Sequence, residues 1–228
     1  MTTSGSTDFT LALNGIVDEA FDLCGVGSEG EPISADQYAR AKRSLNLIIK
    51  TLGTSEHLWA RTSKSVTLVE GQTSYTLTPK PLRVIEARRK VTASGIETPL
   101  MEWARSTYTE QPAKGTKSIP TAFYYDAQET TGALYVWPTA SASTASTMTV
   151  ELTYLRRLED FDDSNDSADM PQEWLQTLSY ALAAELALKY GVNPAIRAAI
   201  EQRAMSLKAQ LQAFDTEPAS LFLQPDYR

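Results

Sequence analysis

The chain has 228 residues, a formal net charge of −7 and one cysteine, Cys24. A chain of this length buries roughly 70% of its unfolded surface, so its core needs no metal, and a lone cysteine excludes both an intrachain disulfide framework and a cysteine-ligated zinc; a reducing compartment fits. No apolar run reaches the length of a bilayer span, and residues 1–8 carry neither the basic nor the apolar region of a secretory signal, so a soluble, unprocessed protein is expected.

The first predicted helix runs from about Thr10 to Cys24, with Leu13, Ile16, Val17, Ala20 and Phe21 at helical spacing and Gly25 as its stop. Residues 25–30 then read as a glycine-rich loop. The second helix starts at Ser34, which forms a capping box with Gln37, and its stripe of Tyr38, Ala41, Leu45, Ile48, Ile49 and Leu52 ends at Gly53. A short turn through His57, Leu58 and Trp59 follows.

From Ser65 the period changes to that of strands. Val66 and Leu68 lead to a turn at Glu70-Gly71-Gln72, then Tyr75 and Leu77; Leu82–Val91 is a further strand with Ala93-Ser94-Gly95 as a hairpin turn. Trp103 and Tyr108 flank an irregular or helical crossing, and Thr121–Asp126 and Ala133–Trp137 are two strands closed by Pro138. Residues 139–146, all Thr, Ala or Ser, read as a mobile hairpin tip. In the last strand Met148, Val150, Leu152 and Tyr154 share one face and Thr149, Glu151 and Thr153 the other, the mark of a half-buried strand.

Residues 159–169 hold six acids and no base and are expected to be a solvated acidic linker. Pro171 opens a third helix reaching Tyr190, rich in Leu and expected to be the most buried. Asn193 and Pro194 cap and open a fourth, with Ile196, Ile200, Ala204, Leu207, Leu211 and Phe214 as its stripe.

Neither helical half can bury its stripe alone. The expected fold is therefore α+β: an antiparallel helical bundle built from the N- and C-terminal helices, with an antiparallel β-rich lobe inserted. The corresponding boundaries are 1–61 and 159–214 for the bundle, 62–158 for the lobe and 215–228 for an extended tail. In that tail Leu221, Phe222, Leu223 and Tyr227 belong to no amphipathic repeat, and Pro218 and Pro225 discourage a helix. Apolar side chains in an extended segment need a cover. Docking into another subunit or partner, as an edge strand or groove peptide, is favoured over folding back on its own bundle.

Charge follows the same division. Residues 1–60 carry eight acids and four bases, residues 61–158 eight acids and twelve bases, and residues 159–228 twelve acids and five bases. The bases are not gathered on one element, as phosphate neutralisation would require. Arg88-Arg89-Lys90 and Arg156-Arg157 are read as solvated strand ends, since alternate strand residues face opposite ways. His57 is the sole histidine, so any triad or metal site with two histidines is impossible, and a packing role beside Trp59 is expected. The acids Glu159, Asp160, Asp162, Asp163, Asp166 and Asp169 leave open a cell-wall glycosidase or a calcium site, without the glycine turn and terminal Glu of an EF-hand. No catalytic, cofactor or metal residue is assigned.

One set of segments resembles a known family. Trp59, Gly71-Gln72 with Tyr75-Thr76-Leu77, Ile119-Pro120 before Tyr124-Tyr125-Asp126, Leu134-Tyr135-Val136-Trp137-Pro138, Tyr154, and the helix from Met170-Pro171-Gln172-Glu173-Trp174 to Tyr190-Gly191 together resemble the head-to-tail adaptor proteins of short-tailed bacteriophages. The resemblance spans roughly residues 10–214, and the order of the pieces carries it. It implies a virion protein, assembled in the host cytoplasm, forming a ring of twelve copies under the portal. Such a ring would join capsid to tail and pass genomic DNA without sequence-specific binding or membrane contact. Its partners would be itself, the portal and a tail or nozzle protein, with Leu221, Phe222, Leu223, Pro225 and Tyr227 as the portal-docking residues. A tail-tube or gatekeeper subunit is the neighbouring alternative.

Overall fold

A computed structural model describes residues 3–26, 32–55 and 57–216. In chain order its elements are α1 (Leu13–Cys24), α2 (Ala35–Leu52), β1 (Arg61–Thr67), β2 (Ser74–Leu77), β3 (Arg83–Val91), β4 (Glu97–Pro99), β5 (Met101–Glu102), α3 (Arg105–Glu110), β6 (Lys117–Ser118), β7 (Ala122–Ala127), β8 (Gly132–Trp137), β9 (Thr139–Ala140), α4 (Ala142–Thr147), β10 (Met148–Leu155), α5 (Leu175–Lys189) and α6 (Pro194–Phe214). One-turn 3-10 helices lie at Leu58–Ala60 and Gln172–Trp174. Residues 1–59 with 158–228 belong to one unit, and residues 60–157 to another. The class is α+β, with terminal helices flanking a β-rich lobe in sequence.

In the helical unit α5 is the central element, and α1, α2 and α6 all pack on it. Its Leu178, Leu182 and Leu186 are completely buried, Gln176, Glu185, Leu188 and Lys189 are exposed, and Ala181 and Ala184 are half-buried beside Glu185 in an open stripe. The predicted capping box is present: Gln37 N donates to Ser34 Oγ at 3.3 Å and Ser34 N donates to Gln37 Oε1 at 3.0 Å. α1 ends at Gly25, whose φ of 61° is left-handed and favours glycine.

The start of α1 differs from the expected Thr10. No side chain caps it; instead Leu13 N and Asn14 N donate to the carbonyls of Asp166 and Ser164. The acidic segment is thus an ordered strap rather than a loose linker, though Glu159, Asp160, Asp162 and Asp163 are exposed as expected. Phe161 is buried within it, and Asn46 of α2 bonds that residue twice, its amide nitrogen donating to Phe161 O and its amide oxygen accepting from Phe161 N, both at 3.0 Å. The α1 donors and the apolar Phe161 fix the segment while the flanking carboxylates stay in water. α6 also departs from its predicted stripe. Ile200 and Leu207 are buried, but Ile196 and Phe214 are 48% and 86% exposed.

The lobe is a sandwich of two four-stranded sheets, β1-β10-β3-β4 and β2-β8-β7-β5, with a small β6-β9 pair. The first sheet is antiparallel throughout; β5 with β7 and β6 with β9 are parallel. Val84, Ala87, Val150 and Leu152 of one sheet face Phe123 and Leu134 of the other across a closed core. β10 alternates as its sequence predicts, until a register shift at Thr153/Tyr154 lets both Tyr154 and Leu155 turn inward. A Cβ on Gly132 would come within 2.5 Å of the Tyr125 hydroxyl, which donates to Pro81 O, so glycine is the residue that fits.

Residues 139–146 are not a mobile tip. Thr139 and Ala140 form β9 and are fully buried, and Ser141 caps α4 by accepting from Thr144 N at 3.3 Å. The hydroxyls that resemble linker chemistry in sequence here terminate a strand and start a helix.

Candidate functional site

The residues predicted to dock, Leu221, Phe222, Leu223, Pro225 and Tyr227, lie outside the described residues. What is described is the point from which that segment departs. α6 gives way at Asp215, whose carboxylate accepts from Leu58 N through Oδ1 at 3.0 Å and meets His57 Nδ1 through Oδ2 at 2.8 Å. A carboxylate only accepts, so the Nδ1 of His57 carries the hydrogen. The ring is 2% exposed, stacked on Trp59 at 5.2 Å and set edge-on to Trp174 at 4.8 Å. The packing role expected of His57 beside Trp59 is what the geometry has, with Asp215 as the addition. An acid at a helix C-terminus opposes the helix dipole, and that mismatch is the sequence signal that marks Asp215 as held by something else.

Between α2 and α6, and over the open stripe of α5, lies a groove of about 500 Å³. Ile48, Leu52, Ala184 and Ala204 line it, and Leu47 and Met205, 64% and 70% exposed, form its lips. Exposed large apolar side chains grouped around a groove mark an interaction surface. Sequence periodicity conceals it, because Leu47 and Met205 sit one position off the stripes that predict burial.

Four of the six strap acids, Asp160, Asp163, Asp166 and Asp169, use their carboxylates to hold the fold. Asp166 Oδ2 accepts from Asp163 N at 2.6 Å and Asp162 N at 2.8 Å, and these bonds hold its carboxyl below the usual range. Asp169 accepts from Glu159 N, and Asp160 pairs with Lys50 at 2.5 Å. A general acid for glycoside cleavage needs the opposite shift. Among the described residues no three His, Cys, Asp or Glu side chains gather as a metal site. The basic run on β3 is likewise engaged: Arg88 pairs with Glu86 at 3.1 Å, Lys90 lies 3.6 Å from Glu97, and Arg89 donates to Pro120 O.

Comparison with family models decides the kinship. The model of the SU10 adaptor protein matches residues 18–221, which takes in both the helical unit and the lobe. The chain belongs to the SU10 adaptor family. This places it among bacteriophage head-to-tail adaptor proteins, as the order of its motifs predicts. Among solved structures, a chain in the neck of an empty GTA particle is 16% identical, with 86% of this chain and 92% of that one covered at a TM-score of 0.30. A chain of the native gene transfer agent virion is 15% identical, with 82% and 87% covered at a TM-score of 0.31. No curated protein matches.

Proposed function

We propose that this adaptor is a non-enzymatic structural subunit of the virion that forms a ring, of twelve copies, beneath a portal, extending the DNA channel and joining capsid to tail. The observation that carries the reading is the adaptor-family match through residues 18–221. The sequence segments 1–61 and 159–214 supply the helical body, segment 62–158 an inserted lobe, and segment 215–228 the portal-docking tail, with Leu221, Phe222, Leu223, Pro225 and Tyr227 as its contacts. A tail or nozzle protein is the partner below. The helical segments carry a large excess of acids, so a channel lined by them would repel phosphates and let DNA slide. Asp166 and Asp169 accept from backbone N–H groups and Asp160 pairs with Lys50, which favours this structural role over glycoside cleavage.

Native mass spectrometry of the protein with and without purified portal tests the reading. A ring on the portal is expected, and deletion of residues 219–228 should abolish binding while the circular dichroism spectrum stays unchanged. Binding retained by the deleted protein would remove the docking role from the tail.

A further inference from the structure

The helical unit has two sides that complement each other. α1 packs on α5 and also touches α2 and α6, whereas α2 and α6 enclose the open groove. Cys24 at the end of α1 donates to Ala183 O. Ala183 lies about 200° round α5 from Ala181, which lines the groove, at 3.6 residues per turn. α1 and the groove are therefore on opposite sides of the central helix.

Their chemistry is opposite too. α1 turns Asp18, Glu19 and Asp22 to solvent, and no basic side chain pairs with them among the described residues. Just before it, residues 3–10 form no regular element and are exposed, with Phe9 68% exposed. At the groove, Lys189 and Lys208 stand on the rim, and exposed Arg43 precedes Leu47 by one helical turn on α2. Of the two rim acids, Glu201 is already paired with Arg197 at 2.7 Å, leaving Glu185 against three bases. One side is an acidic ridge beside a bare aromatic ring, and the other an apolar groove with a basic rim.

We propose that the groove between α2 and α6 seats the α1 edge of a second copy of this chain. Phe9 enters between Leu47 and Met205, and Asp18, Glu19 and Asp22 face Arg43, Lys189 and Lys208. Because seat and plug occupy opposite sides of one copy, the contact is heterologous and repeats from copy to copy, giving a ring where the rotation between copies closes. This rests on the ring reading above and names the face through which the ring is built. Much of the attraction is between exposed charges, so assembly weakens as salt shortens the screening length.

Cross-linking between full-length variants tests it. Phe9→Cys and Met205→Cys proteins are mixed under a mild oxidant, at concentrations where native mass spectrometry shows assembly of the wild type, alone or on portal; native Cys24 is buried. A linked dimer in the mixture and none in either variant alone is expected. Met205→Cys dimers dominating instead would show a face-to-face contact and overturn the proposal. In parallel, Asp18→Lys/Asp22→Lys should lose the oligomer and regain it when mixed with Arg43→Glu/Lys208→Glu. Intact rings from Leu47→Glu/Met205→Glu would overturn the groove assignment while leaving the ring standing, whereas a wild type that assembles in neither setting removes both. If truncation after Thr216 speeds hydrogen exchange of α2 and α6 in the monomer, the groove holds the chain's own C-terminal segment and the proposal fails.

Discussion

A single buried ring fixes the end of the last helix. His57 is enclosed by Trp59 and Trp174, and its Nδ1 hydrogen and the Leu58 N–H both go to Asp215. Its Nε2 is buried without a hydrogen-bond partner in the described structure, which makes the Asp215 contact the ring's one polar anchor. Asp215→Ala leaves two donors unmet in a nearly dry site and should cost about 1–3 kcal/mol. His57→Ala removes a packed ring as well and should cost about 2–4 kcal/mol, read as a fall in the urea midpoint. An unchanged midpoint in both variants would mean that the clasp does not hold the helix end. The pair was only half legible in sequence. His57 beside Trp59 announces packing, but its partner lies far along the chain, and no local period links the two.

At the level of elements, the parts that could be read are those whose stabilisation is local. The Ser34–Gln37 box depends on four consecutive residues, and β10 declares itself by alternation over eight. Ser34→Ala should lower stability by about 1 kcal/mol, measured by chemical denaturation, with α2 still formed in the native baseline before the transition. What could not be read is set by distant partners. α1 lacks a capping side chain, and its donors are met by a strap arriving about 150 residues later. The Thr139–Thr147 segment has linker composition but is fixed by pairing with β6 and by burial of Thr139 and Thr144. The groove was hidden for a related reason: α5 is apolar nearly all round, and only the packing of its neighbours decides which stripe stays open. The docking candidates Leu221, Phe222 and Leu223 rest on composition, as apolar residues between Pro218 and Pro225, and lie outside the described residues.

At the scale of the whole molecule, one unit is inserted into another. The lobe begins and ends in one antiparallel pair, with Arg61 opposite Leu155 and Arg156 N donating to Ala60 O. Its core of Val84, Val150, Leu152, Phe123 and Leu134 is closed within residues 60–157. Those residues expressed alone should therefore fold cooperatively and give dispersed amide resonances; a collapsed, undispersed spectrum would show that the lobe depends on the helices. The insertion also sets a timetable during synthesis. Ribosomes add about 5–20 residues per second, so α1 and α2 wait several seconds for α5 while the lobe is made. Through that interval Leu13, Ile16, Leu45 and Ile49 have no permanent cover, and the nascent helices are the part of this chain most in need of a chaperone.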